Sequence, residues 1–75
     1  MKPSKSGVSE KLIRILLLCF QSKLGTIRSA TCFTVGELRV KHRDIVENLI
    51  TILSYETLPA IKKDAIDALA KIGNS

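Results

Sequence analysis

The sequence predicts an all-α fold in which four helices form two stacked antiparallel hairpins, the arrangement of an α-α superhelix. Three observations predict it. The second half of the chain matches the first when Leu24 is aligned with Leu58. Apolar residues recur three or four positions apart, as in amphipathic helices. Finally, 45% of the residues are hydrophobic but only three of the 75 are aromatic, so the core is aliphatic and suits helix-on-helix packing.

The alignment of the two halves places similar residues together at a period of 34 positions. Apolar residues align with apolar ones, and Arg28 aligns with Lys62. The other pairs are Leu12 and Val46, Ile15 and Leu49, Leu16 and Ile50, Leu18 and Ile52, Ile27 and Ile61, Val35 and Leu69, Gly36 and Ala70, and Leu38 and Ile72. Such a period is typical of a supersecondary unit stacked on copies of itself. We therefore divide the single domain into a flexible tail (residues 1–8) and two repeats (about 9–40 and 42–75).

The first repeat contains two predicted helices. Ser9 is a good N-cap for the first, whose inward face is expected to carry the apolar residues at positions 12, 15, 16, 19 and 20. The second is expected to run from residue 24 or 25 to Leu38, with Ile27, Thr31, Val35 and Leu38 inward. Its β-branched residues also fit a strand on propensity alone. Gly36 and Glu37, however, suit a strand poorly and favour the helix.

The second repeat begins after a short link, residues 39–41. A third helix is expected over residues 42–55, and its broad inward face consists of Ile45, Val46, Leu49, Ile50, Ile52 and Leu53. Thr57 is expected to cap the fourth helix at its start, Pro59 to occupy its first turn and Gly73 to be its C-cap. The inward face of that helix is expected to consist of Leu58, Ile61, Ala65, Leu69 and Ile72, with charged residues on the other side.

The second helix of each repeat resembles that of a HEAT repeat, a member of the armadillo-like α-solenoid families. In the fourth helix, the residues that carry the resemblance are Pro59, Ile61, Lys62, Ala65 and Leu69. In the second helix they are Ile27, Arg28, Val35 and Gly36, with Thr31 where a small Ala is usual. An acidic residue about six positions before the basic one is typical of the family. Glu56 meets this pattern before Lys62, whereas Ser22 breaks it before Arg28.

The resemblance implies a curved stack of hairpins whose second helices form the partner-binding face. On that face the second helix would offer Arg28, Ser29 or Cys32, and the fourth Lys62, Lys63 or Asp67. The alternative is that these polar residues are merely solvated. The leading interpretation is therefore a non-catalytic protein–protein interaction or scaffold module. A compact four-helix bundle without a repeat function is a further alternative.

Two repeats are fewer than the three or more that a stable stack generally needs. The broad apolar stripes suggest an uncovered end face, for which the candidates are Ile13, Leu17, Leu18 and Ile52. We expect the chain either to form homo-oligomers or to dock on a larger helical assembly. Alternatively, it is a fragment or short isoform of a longer solenoid.

The formal net charge of +5 is spread along the chain. Arg39, Lys41, His42 and Arg43 form one basic cluster, and the tail adds two lysines. Nucleic-acid binding through this cluster is the alternative function. No aromatic platform is interleaved with the basic residues, and no recognition-helix motif occurs, so we favour a protein partner.

The sequence contains no recognisable catalytic constellation, and we predict neither an enzyme nor a cofactor. His42 has no second ligand at metal-binding spacing and is expected at a helix start. Cys19 and Cys32 are expected to be buried free thiols, with a disulfide between helices as the alternative. The apolar run after Arg14 is too short for a leader or a membrane span. We therefore expect an intracellular protein, cytoplasmic rather than nuclear, that does not bind membranes.

Overall fold

The computed structural model describes residues 9–74, which form four helices: α1 (Glu10–Phe20), α2 (Gly25–Leu38), α3 (Arg43–Tyr55) and α4 (Pro59–Gly73). These residues contain no strand, so the predicted all-α class is confirmed. The β-branched segment of α2 is helical, because its inward side packs in the core. The predicted flexible tail, residues 1–8, lies outside the described residues, as does Ser75.

Three helix starts follow the predicted pattern. The Ser9 hydroxyl accepts a hydrogen bond from the Leu12 N–H at 3.1 Å, which confirms the N-cap of α1. At α3, Nδ1 of His42 accepts from the Asp44 N–H at 3.1 Å. The single histidine is thus an N-cap at a helix start, and it satisfies one of the free N–H groups there. Pro59 occupies the first turn of α4.

Both capping residues predicted for α4 are wrong. The N-cap of α4 is Leu58 and not Thr57, and the carboxylate of Glu56 accepts the Leu58 N–H at 3.3 Å. A polar side chain two residues before the N-cap residue therefore accepts the hydrogen bond that was expected to go to Thr57. Helix α4 also continues through Gly73, and its C-cap is Asn74.

The four helices pack as two side-by-side hairpins. Helix α1 contacts α2, and α3 contacts α4; across the hairpins, α1 contacts α3 and α2 packs extensively on α4. Ser29 donates a hydrogen bond to Asp64, and Lys71 pairs with Glu37, at sequence separations of 35 and 34. Because both contacts join residues about one period apart, α2 and α4 run in the same direction, offset by one repeat.

This neighbour pattern differs from that of a closed up-and-down bundle. In such a bundle each helix packs mainly on the helices before and after it in the sequence. Here α2 packs most extensively on α4, two helices further along the chain. The described residues form a flat body of 40 × 26 × 16 Å, in which α1 and α3 form one layer and α2 and α4 the other.

The core lies between these layers, and its largest fully buried side chains include Val35, Ile45 and Leu49. The inward face predicted for α1 is rotated from the observed one. Its buried residues are Ile13, Leu16 and Phe20, whereas Ile15 is exposed. The physical reason is that α1 must cover α3 as well as α2. Four more residues that were predicted to face inward are also exposed, namely Ile27, Leu38, Ile50 and Leu58.

The predicted uncovered end face is also largely wrong. Ile13 and Ile52 are buried and Leu17 is partly buried, because all three lie where the layers or hairpins meet. Only Leu18, which is 72% exposed, is an open apolar residue of that set. Uncovered apolar residues do exist on the molecule, but at other positions.

Thr31, the residue that departs from the HEAT pattern, is buried in α2. Its hydroxyl donates a 2.6 Å hydrogen bond to the carbonyl of Ile27, one turn earlier. A buried hydroxyl needs such a partner. The helix backbone supplies it, so the core accepts Thr where the family usually has Ala.

The link between the hairpins is fixed in place by its own packing. Arg39 has the left-handed backbone conformation, with φ of 51°. Its N–H donates to the Gly36 carbonyl, and the Val40 N–H donates to that of Val35, at 3.1 Å each. This is the pattern of a Schellman cap, in which the residue after the left-handed one is commonly apolar. Val40 is fully buried, so the link joins the core.

Candidate partner-binding groove between the second helices

Helices α2 and α4 approach closely because small residues face each other where they meet. A Cβ atom added to Gly36 would lie only 2.9 Å from the Cα of Ala68. Only glycine allows the two backbones to come so near. The close packing of α2 on α4 therefore depends on Gly36.

The close approach leaves a groove of ≈ 330 Å³ along the outer side of the α2–α4 layer. Cys32, Gly36 and Ala68, all buried, form its floor. Phe33 stands on the α2 wall, and the α4 wall carries three charged residues, Asp64, Asp67 and Lys71. An apolar ring beside a mixed set of charges is the type of surface that a protein segment can contact through both side chains and backbone.

Phe33 is 63% exposed, which is a large apolar surface for a small domain. The Nζ atom of Lys71 lies 5.3 Å from the centre of its ring, within the range of a cation–π contact. Lys71 also pairs with Glu37, one turn after Phe33. These contacts join α4 to α2 across the groove and keep the ring in place at its rim.

The residues that the HEAT resemblance predicted on one partner-binding face do not lie together at the groove surface. Cys32 is fully buried, so its thiol forms part of the groove floor and is not available at the surface. Burial raises the pKa of Cys32 to about 11, and the negative charge of Asp64 acts in the same direction. The thiol is therefore protonated at neutral pH. Cys19 is also a free thiol, so the disulfide alternative does not hold in the described residues.

Arg28 is engaged within the protein. Its Nε and one terminal nitrogen donate to the two carboxylate oxygens of Glu56, at 2.8 and 3.0 Å. Its other terminal nitrogen donates to the carbonyl of Ser22 at 2.9 Å. The hydrogen bond raises the pKa of Arg28 and lowers that of Glu56. Arg28 therefore links the two hairpins at the edge of the stack, away from the groove.

The three residues predicted on α4 are separated by the helix. Lys63 and Asp67 are exposed and four positions apart, so both lie on the outer side, with Asp67 in the groove wall. Lys62 is partly buried and points about 100° away from Lys63. Within residues 9–74, Lys63 and Asp67 do not form an ion pair, which leaves both charges accessible.

The basic cluster of residues 39–43 lies at the other edge of the stack, around the start of α3. Arg39, Lys41 and Arg43 are exposed, but the Arg43 guanidinium lies 3.5 Å from the Glu47 carboxylate. Two further acidic residues, Glu10 and Asp44, line the same surface depression as His42, together with the basic Arg14. The cluster therefore has a mixed charge in space.

Sequence reasoning missed Phe33, Glu37 and the bond between Ser29 and Asp64. The 34-residue period could have predicted the contacts between α2 and α4. Glu37 and Lys71 have opposite charges and are separated by 34 positions, the period of the alignment. Once α2 and α4 are known to run parallel, complementary residues one period apart are expected to face each other.

The part of the chain that the structure describes contains no group of three or more metal-ligating side chains. None of the helices in residues 9–74 is long and apolar enough to cross a membrane. No family model matches the sequence, and no solved structure matches it either.

Proposed function

We propose that the chain is a HEAT-like helical-repeat module that binds a protein partner in the groove between α2 and α4. The observation that carries the proposal is the exposed Phe33 ring, held at the rim of a groove floored by small buried residues. Aromatic side chains at such positions are common anchors of binding energy. We also propose that the chain is located in the cytoplasm and acts as a scaffold.

The chemistry of the groove suggests the kind of segment that fits. Phe33 and Ala70 offer apolar contact on opposite sides of the groove. The carboxylate of Asp67 offers a charge that no basic residue of the described chain engages. We infer that the partner presents an apolar side chain followed by a basic one. Lys71 is less available, since it is already paired with Glu37.

Affinity capture with matched variants tests this function. The immobilised chain is compared with Phe33→Ser and Asp67→Lys, and bound proteins are quantified by mass spectrometry. The control is Leu18→Ser, because Leu18 is equally apolar and exposed but lies on α1, in the other layer. We expect the two groove variants to lose a shared set of proteins that the control retains. Loss of the same set by the control, or by no variant, would contradict the proposal.

Nucleic-acid binding through residues 39–43 is the competing function, and it makes a different prediction. Binding to duplex DNA would weaken steeply with salt and would be abolished by Lys41→Glu. A groove variant would leave it unchanged. The acidic groups around the cluster, Glu10, Asp44 and Glu47, oppose this interpretation.

A further inference from the structure

Within residues 9–74, the stack of two hairpins has an open end on the side of the first hairpin. We call this the N-end face and define it by Ile15, Ile27 and Leu38. Gly36 contacts Ala68 of the second hairpin, and Leu38, two positions later, points about 200° away from that contact. Ile27, nine positions before Gly36, points about 180° away from it. On α1, Ile15 lies six positions before Gln21, which bonds to Asn48 of the second hairpin, so it points about 120° away from that bond.

The opposite end of the stack is the C-end face, defined by Val46, Ile50 and Ile66. Ile66 lies two positions before Ala68, so it points away from the first hairpin by the same argument. Ile50 lies two positions after Asn48, whose side chain accepts a 3.4 Å hydrogen bond from Gln21 of α1. Both isoleucines are about half exposed.

The exposed residues of the N-end face have buried equivalents one period later, in the second repeat. Ile15, Ile27 and Leu38 of the N-end face are 37–48% exposed. One period later, their equivalents in the second repeat are Leu49, Ile61 and Ile72, which are no more than 6% exposed. Ile61, for example, packs directly on Gly25 of the first hairpin. The second repeat thus buries against the first a set of positions that the first repeat leaves open.

The C-end face shows the same relationship in reverse. Ile50 and Ile66 are 51% and 54% exposed. One period earlier, their equivalents are Leu16 and Cys32, which are 6% and 0% exposed. Each open end therefore corresponds to one side of the interface that already joins the two hairpins.

From this relationship we infer that the chain associates head to tail with a second copy of itself, the C-end face of one copy packing on the N-end face of the next. The contact continues the internal stacking by one further period. It is a heterologous contact, so it leaves a free face at each end and allows further copies to add. It uses surfaces outside the α2–α4 groove and is independent of the proposed partner binding.

The contact between copies is expected to be weaker than the one within the chain. The internal pair of Arg28 and Glu56 is replaced between copies by Lys62 and Ser22, which lack opposite charges. The close approach of Gly36 to Ala68 is replaced by Ala70 and Thr34, which are bulkier. Each copy also has a formal charge of +5, and like charges repel. We therefore expect reversible association that strengthens with concentration and with salt.

A mixing experiment tests the inference. One variant, Ile15→Glu, blocks the N-end face, and another, Ile66→Glu, blocks the C-end face. Circular dichroism establishes that each is helical; Leu38→Glu and Ile50→Glu replace any variant that is not. The control is Ala60→Glu, because Ala60 and its equivalent in the first repeat, Thr26, are both exposed and so lie outside both faces. Sedimentation equilibrium is measured at chain concentrations up to about 1 mM, so that even a dissociation constant near 1 mM would be detected.

The wild-type and control masses are expected to rise with concentration beyond twice the chain mass of 8.3 kDa. Each blocked variant alone is expected to stay at the mass of one chain, and their equimolar mixture to approach a dimer and stop there. Wild-type chain that remains monomeric throughout would overturn the inference. So would a blocked variant that associates like wild type, or a mixture that stays monomeric.

A second pair of variants tests the register of the contact. Ser22→Glu introduces, opposite Lys62 of the neighbouring copy, the carboxylate that Glu56 supplies internally. The substitution suits the local backbone, because Ser22 accepts the Leu24 N–H as Glu56 accepts the Leu58 N–H. We expect Ser22→Glu to associate at lower concentration than Ser22→Gln. Equal association of the two variants would contradict head-to-tail stacking in this register.

Discussion

Arg28 and Glu56 form a two-bond ion pair that joins the first hairpin to the second. The N···O distances are 2.8 and 3.0 Å, and the Glu56 side chain is only 6% exposed. Parallel charge-assisted bonds of this kind are stronger and more specific than single ones. The HEAT resemblance implies that such charges form a ladder between neighbouring repeats. Glu56 pairs in this sense with Arg28, the basic residue of the preceding repeat.

The pair predicts a loss of stability in acid. Because the pKa of Glu56 is lowered below its ordinary value of 4.5, the folded state favours the ionised form. This stabilisation is present above pH 4.5 and is lost as the pH falls through the lower pKa of the folded state. Urea unfolding of Glu56→Gln should therefore show less dependence on pH in that range than wild type. Glu47→Gln is the control, since its exposed pair with Arg43 contributes little. An equal effect of both variants would contradict the prediction.

The contact between Gly36 and Ala68 predicts that Gly36→Ala is destabilising, although alanine is the better helix former. Overpacking of this kind lowers the free energy of unfolding by about 1–3 kcal/mol, and a gain of up to about 1 kcal/mol in helix propensity offsets only part of it. The control is Gly73→Ala in α4, where a Cβ atom meets nothing within 4 Å. Thermal and urea unfolding should show destabilisation for position 36 alone.

The left-handed conformation of Arg39 predicts a stabilising substitution. Arg39→Gly should raise the free energy of unfolding by about 1 kcal/mol, because glycine adopts a positive φ without the clash of a Cβ atom. Arg39→Ala removes the same charge but keeps the Cβ atom, and it should give no such gain. If both substitutions stabilise the protein equally in urea, the effect comes from charge and the backbone argument fails.

The burial of Cys32 predicts selective labelling of the two thiols. At pH 8 and under native conditions, iodoacetamide should modify the partly exposed Cys19 well before Cys32, whose pKa is about 11. Only the thiolate reacts, and reaction at Cys32 also requires the hairpins to open. Peptide mapping by mass spectrometry distinguishes the sites, and in denaturant both should react at similar rates. Equal rates in the native protein would contradict the burial of Cys32.

The same pKa predicts a loss of stability in alkali. The thiol of the unfolded chain ionises near pH 9, whereas that of the folded chain ionises near 11. Its contribution to stability is therefore fully present below pH 9 and is lost as the pH rises through about 11. Cys32→Ala should remove this part of the pH dependence, while Cys19→Ala should leave it unchanged.

The helices could be predicted from the sequence because local signals specify them. Apolar periodicity, the Ser9 cap and Pro59 are properties of a few neighbouring residues, and the observed helices begin and end close to the predicted positions. The repeat at 34 residues also anticipated the offset of the contacts between α2 and α4. These parts of the fold depend on short segments or on their comparison.

The faces of the helices were harder to predict because they depend on several neighbours at once. The stripe on α1 is broad enough to allow more than one rotation, and only contact with α3 buries Ile13 in place of Ile15. The groove was missed for a similar reason. Phe33 and Lys71 have unremarkable surroundings in sequence, and they acquire a role only when α4 lies beside α2.

The buried Val40 makes the segment between the hairpins a rigid spacer rather than a tether. Its length determines the angle at which one hairpin is set against the other. One inserted residue beyond Val40 would turn the following helix by about 100° and break the alignment of the layers. The two hairpins should accordingly melt as one cooperative unit, with no intermediate in which only one of them has unfolded.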